Sequence, residues 1–284
     1  MTTVGHDLKS CTTELLPIVI DSLPSDLLKD GRLVLVDTPG FGHTYVDDTD
    51  ILHCIGSWLE TMYDSGETKL AGIVYLHDIS LSRMEPIFRS LVVFQKLCGK
   101  DALKRVVLCT TKWSDIFREE GESRTEQLKE GHWKEMIEGG STVRRFEDSQ
   151  ESAWDVIASI IVGHQIGKMD ALQIQEEMVE AKKLIPETEA GRQLRYSLDQ
   201  LLKSLKQASS KDPSRRKELD TQIAAIRNQM RVMHIPASHR ILGLLDHGVE
   251  KILDKLILMN ATPPSSFAGN RLLGKFFDMS ADES

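Results

Sequence analysis

The residues with the clearest chemical pattern are Asp37-Thr38-Pro39-Gly40-Phe41, which directly follow the apolar run Arg32 to Val36. An aspartate at the carboxyl end of a strand stands where α/β sheets bind their ligands. Its carboxylate can hold Mg²⁺, usually through water. Because glycine has no Cβ, a backbone N–H at Gly40 can approach a terminal phosphate closely. The pattern therefore predicts a metal-bound phosphate at this turn, and the alternative is a plain strand-end turn.

Three further segments place polar residues beside predicted strands. They are Ser10-Cys11-Thr12-Thr13 before the strand, Cys109-Thr110-Thr111-Lys112-Trp113-Ser114-Asp115 after the strand Arg105 to Cys109, and Ser152-Ala153-Trp154 after the strand Thr142 to Phe146. Each segment also has a structural interpretation. Clusters of Ser and Thr often form turns or helix caps, and either Ser114 or Ser152 can serve as a helix N-cap.

The elements that must position these segments follow an α/β rhythm up to about residue 160, which is typical of a mostly parallel sheet. The runs Leu16 to Leu23 and Arg32 to Val36 are joined across Lys29-Asp30-Gly31, so they predict one antiparallel pair. The other predicted elements are helices over Asp47 to Tyr63, Glu85 to Leu97 and Arg124 to Ile137, buried strands over Lys69 to Leu76 and Arg105 to Cys109, a short strand over Thr142 to Phe146, and a helix from Ser152.

Beyond about residue 168 the sequence turns helical. Two heptad-like stripes predict two helices, and the polar segment Ser209 to Arg216 with Pro213 breaks the chain between them. We expect a helical hairpin whose stripes pack internally, with dimerisation or partner binding as alternatives. Two more helices are predicted, over Asp170 to Leu184 and Ile241 to Leu258. The stripes consist of Leu194, Leu198, Leu201 and Leu205, and of Leu219, Ile223, Ile226, Met230 and Met233.

Together the four polar segments resemble the motifs of P-loop GTPases of the translation-factor-related class, in a fungal branch similar to immune-associated and septin-like GTPases. The resemblance covers about residues 4 to 160. It implies GTP or GDP as the ligand and Mg²⁺ as the cofactor. It also implies metal ligands at Thr12 (with Thr13 in reserve) and Asp37, the γ-phosphate at Gly40, and a base site formed by Thr111, Lys112, Ser114, Asp115, Ser152 and Ala153.

The sequence departs from this family at two places. The expected base-binding aspartate is Ser114, and the carboxylate follows one residue later at Asp115, so either the loop is shifted or base specificity is relaxed. The phosphate loop G-x-x-x-x-G-K-[ST] does not occur before Thr12. Residues Gly269 to Phe276 have the same glycine–lysine spacing, but Phe276 replaces the Ser/Thr and no strand is predicted before them. We therefore interpret this match as a coincidence. We therefore expect a truncated gene model and impaired nucleotide binding.

The predicted fold class is α/β: a GTPase-like, mostly parallel sheet without its first strand, followed by a C-terminal α-helical hairpin. The predicted domains are a G domain over 1–167, a helical or coiled-coil extension over 168–259 and a tail over 260–284. The expected function is GTP binding, with slow hydrolysis in the complete protein, because Phe41 replaces the glutamine that orients water in many small GTPases. The alternative is a non-enzymatic module that binds a protein partner, or itself, through the hairpin.

Bulk properties disfavour several other classes of protein. A formal net charge of −8 disfavours a general nucleic-acid binder. Four widely spaced cysteines predict neither a zinc site nor a disulfide framework. The N-terminus has no signal-peptide pattern, and no apolar run is long enough to span a membrane, so the cytoplasm is the expected location.

Overall fold

The computed structural model describes residues 15–20, 33–41, 47–65, 70–82, 85–166, 171–211 and 213–234. These residues form a mixed α/β fold with two separate sheets. The strands are β1 (Leu16–Ile20), β2 (Leu33–Asp37), β3 (Ile73–Asp78), β4 (Val106–Thr111) and β5 (Thr142–Arg145). The helices are α1 (Asp48–Ser65), α2 (Glu85–Cys98), α3 (Arg118–Glu130), α4 (Lys134–Glu138), α5 (Gln150–Ile166), α6 (Gln173–Gln175), α7 (Glu189–Lys211) and α8 (Arg216–Val232).

The larger sheet is parallel, with the strand order β3–β4–β5. Its central strand β4 begins with the apolar run Val106 to Cys109 and is buried on both faces, as expected for a parallel strand that helices cover. Successive side chains alternate between the two faces. Leu108 joins the main core, which is shared with α2, whereas Val107 and Cys109 pack with Val156 of α5.

The smaller sheet is a two-stranded ribbon in which β1 and β2 run antiparallel, with Ile18 opposite Leu35. This pairing confirms the antiparallel pair that the short connection predicts. The predicted turn at residues 29–31 lies outside the described residues. Large apolar side chains of the ribbon remain exposed, among them Leu16, Val19 and Val34. The ribbon therefore adds little to the buried core.

The prediction of a single helix over Arg124 to Ile137 is wrong. The structure has α3, which begins at Arg118 and ends at Glu130, and then the separate short helix α4. The backbone leaves the helical region at Gly131, and Trp133 becomes fully buried beyond it. Since a break there brings this indole into the core, burial outweighs continuation of the helix.

The prediction of a helix over Asp170 to Leu184 is also wrong in its length. α6 covers only three residues and continues as a π-helical turn to Glu180. The buried carboxylate of Glu177 then accepts hydrogen bonds from the Lys183 ammonium at 2.8 Å and from the Glu189 backbone N–H at 3.0 Å. These bonds hold the chain as it turns away, with Lys182 at a φ of 51°.

The two helices α7 and α8 lie where the heptad stripes predict helices, and they pack against each other. Their stripe residues are largely buried in the same core as α1 and α2, which confirms internal packing as the main use of the stripes. The predicted helix over residues 241–258 and the tail over 260–284 lie outside the described residues. Buried stripe residues are Leu194, Leu198, Leu219, Ile223, Ile226 and Met233.

Across the described ranges, every helix is too short or too polar to cross a membrane.

Candidate functional site

The carboxyl ends of β3 and β4 are joined by hydrogen bonds that extend beyond the last paired residues. Thr111 Oγ1 donates to the carbonyl of His77 at 3.2 Å, and the N–H of Ile79 donates to the carbonyl of Thr111 at 3.1 Å. Thr111, which the sequence assigns to the base site, is therefore held at the carboxyl edge of the parallel sheet. Ligands of α/β sheets bind at this edge.

The next four residues form a tight turn that begins at Lys112. Lys112 has the left-handed conformation, with φ 62° and ψ 38°, and residues Trp113–Asp115 form a single 3₁₀ turn. Such a conformation is uncommon for a residue with a Cβ, and it often occurs at functional sites. The side chains of Lys112, Ser114 and Asp115 are exposed, while Trp113 is buried.

The two candidate base-binding residues Ser114 and Asp115 contact each other. The hydroxyl of Ser114 donates to Oδ1 of Asp115 at 3.2 Å. Ser114 lies inside the 3₁₀ turn and α3 begins only at Arg118, so Ser114 does not form the helix N-cap that was the structural alternative. The hydroxyl and the carboxylate thus stand together on one exposed turn.

The second predicted base loop leads from β5 into α5. Ser152 Oγ accepts hydrogen bonds from the backbone N–H groups of Glu147 at 3.1 Å and Ser149 at 3.4 Å. Ser149 Oγ in turn accepts from the Ser152 N–H at 3.1 Å, so this loop is reciprocally capped. The N–H of Ala153 donates to the Ser149 carbonyl at 3.1 Å. A carbonyl oxygen of a nucleotide base could bind this N–H only by sharing it with the Ser149 carbonyl or by displacing that carbonyl.

These two loops are linked by Arg145, the last residue of β5. Its guanidinium carbon lies 3.5 Å from the centroid of the Trp113 ring, and its Nε lies 2.7 Å from Oε1 of Glu147. The structure therefore brings the Lys112–Asp115 turn and the Glu147–Ser152 loop together as one region. We call this region the base-side cluster.

The predicted phosphate segment, Asp37 to Phe41, begins at the last residue of the ribbon strand β2. Asp37 is exposed and pairs with Leu16 in the strand register, so the start of β1 and the end of β2 coincide. Thr12 and Thr13, the predicted first-switch residues, lie outside the described residues. Strand pairing in the described chain forms two sheets: β1 pairs with β2 in one, and β4 pairs with both β3 and β5 in the other. It does not connect Asp37 with the base-side cluster.

Among the described glycines, Gly40 is the one that neither packing nor backbone conformation explains. A Cβ built at Gly40 would meet no heavy atom of the described residues within 4 Å, and its φ is not in the positive range. By contrast, a Cβ at Gly121 would come within 2.5 Å of the Trp113 ring, and one at Gly191 would collide with the Ile185 carbonyl oxygen. Packing and backbone conformation therefore require glycine at those sites but not at position 40.

Phe41 and Asp47, which are described on either side of residues 42–46, both contact other parts of the fold. Phe41 is partly buried against the main core and lines a cavity of about 200 Å³ together with Leu198 and Ile226. Six residues later, Oδ1 of Asp47 accepts a hydrogen bond from Nε2 of Gln229 at 2.8 Å. Thus α7 and α8 contact the chain directly beyond the predicted phosphate-binding turn.

Sequence reasoning missed the polar residues at the end of β3. Oδ1 of Asp78 accepts hydrogen bonds from the N–H and the hydroxyl of Ser80, at 2.9 and 2.6 Å. Nη1 of Arg124 donates to the carbonyls of Ile79 and Ser80, at 2.9 and 2.8 Å, and so ties this strand end to α3. The change from apolar residues to His77 and Asp78 is the sequence pattern that could have indicated this strand end.

Two buried titratable groups of the sheet have shifted pKa values. Burial lowers the pKa of His77 to about 4, so its imidazole is neutral at pH 7 and packs edge-on against Trp133 at 5.5 Å. Burial raises the pKa of the Cys109 thiol to about 11. A thiol with that pKa is a packing group and not a nucleophile at neutral pH.

No group of three or more His, Cys, Asp or Glu side chains that could hold a metal ion occurs among the residues that the structure describes. Compared with known proteins, the chain matches no protein-family model and no curated protein.

Proposed function

We propose that this chain carries the metal-side and base-side loops of a guanine-nucleotide-binding domain, with GTP or GDP and Mg²⁺ as its ligands. In this proposal Asp37 binds the metal through water, and Thr12 or Thr13 is a further ligand of the metal. Gly40 faces the γ-phosphate. Lys112 packs along the base, Ser114 and Asp115 face its edge, and Thr111, Ser152 and Ala153 complete the base site. The cytoplasm is the proposed location.

The observation that carries the proposal is the unexplained glycine at position 40. Neither packing among the described residues nor backbone conformation requires glycine there, and any side chain at this position would occupy space beside the backbone N–H. A phosphate that approaches a backbone N–H needs that room. The aspartate three residues earlier, at the end of an apolar strand, supplies the oxygen ligand that Mg²⁺ prefers.

The base-side cluster supports the same proposal. Lys112 and Asp115 stand on an exposed turn whose left-handed residue is fixed by a buried neighbour. This turn directly follows the parallel strand β4, so it lies at the carboxyl edge of the sheet, where nucleotides bind in α/β proteins. Ser114 adds a hydroxyl beside the carboxylate, so two oxygen atoms can face the N–H groups on a guanine edge.

We also propose that the two sheets belong to one GTPase-like sheet, to which the α7–α8 hairpin is appended. In the described chain β3 has a strand neighbour on one side only, and so has β2. Both strands are apolar runs, a composition typical of parallel strands that are buried on both faces. A strand between β2 and β3 would cover both open edges.

Binding by this sequence is proposed to be weak, and hydrolysis slow. The sequence has no G-x-x-x-x-G-K-[ST] segment, which donates several hydrogen bonds to the phosphates. Each charge-assisted bond contributes roughly 1.5–3 kcal/mol, so losing three or four weakens binding by at least about 10³-fold. Phe41 cannot orient water by hydrogen bonding, so a partner or another residue must supply that role.

A titration of the 284-residue chain with a fluorescent GTP analogue and Mg²⁺ tests the proposal. We expect weak, Mg²⁺-dependent binding that GDP displaces and ADP does not. Gly40→Ala should reduce the affinity by at least about tenfold, because its methyl group occupies the space of the phosphate.

The same Gly40→Ala variant must retain the thermal stability of the unaltered chain, since its methyl group contacts none of the residues that the structure describes. Equal binding of the analogue by the variant, or equal displacement by ADP and GDP, would refute the proposed site.

A further inference from the structure

Trp113 is the buried anchor of the turn that carries Lys112 and Asp115. Its indole N–H donates to Thr110 Oγ1 at 3.0 Å and lies 3.3 Å from the Thr110 carbonyl oxygen. Its ring is only 9% exposed and packs so closely on Gly121 that no side chain fits there. The tryptophan is thereby fixed against both β4 and α3.

This anchoring accounts for the strained backbone next to it. A left-handed, non-glycine residue costs of the order of 1 kcal/mol or more, and it persists only when its surroundings determine it. Lys112, at φ 62°, lies between Thr111, which is bonded to His77, and the fixed Trp113. Both neighbours are held, so the exposed side chains of the turn have a defined direction.

Arg145 completes the anchor from the neighbouring strand. Arginine is the cation found more often over aromatic rings, and the indole is the ring that attracts a cation best. The 3.5 Å separation from the ring centroid allows direct stacking. The ion pair of Arg145 with Glu147 orients the guanidinium and joins it to the loop that ends at Ser152. One side chain thus couples the two loops of the base-side cluster.

We infer that Trp113 and Arg145 are positioning residues that set the base preference of the proposed nucleotide site. This inference rests on the proposed function. Neither residue has to touch the nucleotide. The stack fixes the turn, so Ser114 and Asp115 present their oxygens at one spacing and discriminate the edge of a guanine from that of an adenine.

The chain offers a matched pair of substitutions for the test. Arg145→Met removes the cation and keeps an unbranched side chain that can cover the indole. Arg144→Met is the control, because Arg144 is the preceding residue on β5 and pairs with Asp155 of α5 at 3.4 Å. Arg144 makes no described contact with the Trp113 ring. Both arginines are partly exposed, so neither substitution opens a cavity in the core.

Two readouts are needed, and the first requires no ligand. In the apo protein the indole N–H resonance of Trp113 should shift and exchange faster with solvent in the Arg145→Met variant, and it should stay unchanged in Arg144→Met. The second readout is the ratio of the Kd values for ADP and GDP with Mg²⁺. We expect this ratio to fall by about fivefold in Arg145→Met and to stay within about twofold in Arg144→Met.

The base ratio separates positioning from general destabilisation, because a poorly folded variant loses affinity for both nucleotides alike. An unchanged ratio in Arg145→Met, with GDP still bound, would overturn the positioning role and leave the proposed function intact. An equal fall in both arginine variants would overturn it as well. If the unaltered chain binds no guanine nucleotide at all, the proposed function fails and this inference falls with it.

Discussion

The strands β3 and β4 both begin with apolar residues and end with polar ones, but they have very different surroundings. The central strand β4 (VVLCTT) is buried along almost its whole length, and Leu108 is 0% exposed. The edge strand β3 (IVYLHD) is mostly half-buried, and Leu76, which lies opposite Cys109, is 64% exposed. An apolar run therefore predicts a strand, but its burial depends on whether neighbours occupy both of its edges and both of its faces.

The same contrast separates the two halves of the candidate site. The base-side cluster grows from β4 and β5, and hydrogen bonds, an ion pair and an indole stack fix its loops. The Asp37–Phe41 segment grows from an exposed ribbon, and within it Pro39 is buried and Phe41 packs against the main core. Specific polar contacts therefore hold the base-side cluster, whereas apolar packing holds the Asp37–Phe41 segment.

The largest expected effect comes from truncating the central strand. Leu108→Ala should lower the free energy of unfolding by about 2–5 kcal/mol, since it leaves a cavity in a fully buried position. The matched change Leu76→Ala should cost less than about 0.5 kcal/mol, because most of that side chain is already in water. Denaturant unfolding measures both values. Similar losses in the two variants would show that β3 is covered in solution.

The buried histidine gives the next largest effect, and its direction follows from its pKa. The pKa of His77 is about 4 in the folded state, compared with 6.5 for an unperturbed imidazole. The unfolded chain therefore takes up a proton first as the pH falls, and stability is lost from about pH 6.5 downward. Between pH 7 and pH 5 the free energy of unfolding of the protein should fall by about 2 kcal/mol more than that of a His77→Phe variant.

Urea unfolding at several pH values tests this prediction on both proteins. Other groups titrate in the two proteins alike, so the difference between their curves isolates the imidazole. Parallel curves for the two proteins would mean that His77 is not desolvated.

A smaller effect tests the attachment of α8 to the segment beyond Gly40. Gln229→Ala removes the hydrogen bond to Asp47 and should cost about 1 kcal/mol of stability. It should also speed amide exchange at Asp50 and Ile51, whose N–H groups bond to the Asp47 carbonyl. Gln222→Ala on the same helix is the control, since Gln222 is exposed and bonds only weakly to Glu218. Equal exchange in the two variants would argue against the attachment.

Much of the fold could be predicted from periodicity and from the lengths of connections. The antiparallel ribbon followed from a link too short for a crossover, and α7 and α8 followed from the stripes of Leu194 to Met233. The break at Gly131 and the shortened α6 could not be predicted, because they depend on the burial of Trp133 and on the distant bonds of Glu177. Local patterns carry no information about such long-range partners.

The candidate site divides in a similar way. The positions of Asp37, Thr111 and Lys112 at strand ends could be predicted, because an apolar run followed by polar residues marks such an end. The contact between Trp113 and Arg145 could not, since Trp113 lies in the turn after β4 and Arg145 on β5, and the two residues meet only in the folded protein. Asp78 was missed because its strand was expected to end at Leu76.

A ¹H–¹⁵N amide spectrum of the full chain, titrated with a non-hydrolysable GTP analogue and Mg²⁺ and, in parallel, with the matching ATP analogue and Mg²⁺, is the most decisive measurement. We expect saturable shifts with the GTP analogue at Gly40 and at Lys112 to Asp115 together, because the analogue carries the γ-phosphate that Gly40 faces in the proposal, and the ATP analogue should bind more weakly by about tenfold or more. Shifts at only one of these two segments, or the same shifts with both nucleotides, would contradict the claim that they face one guanine nucleotide.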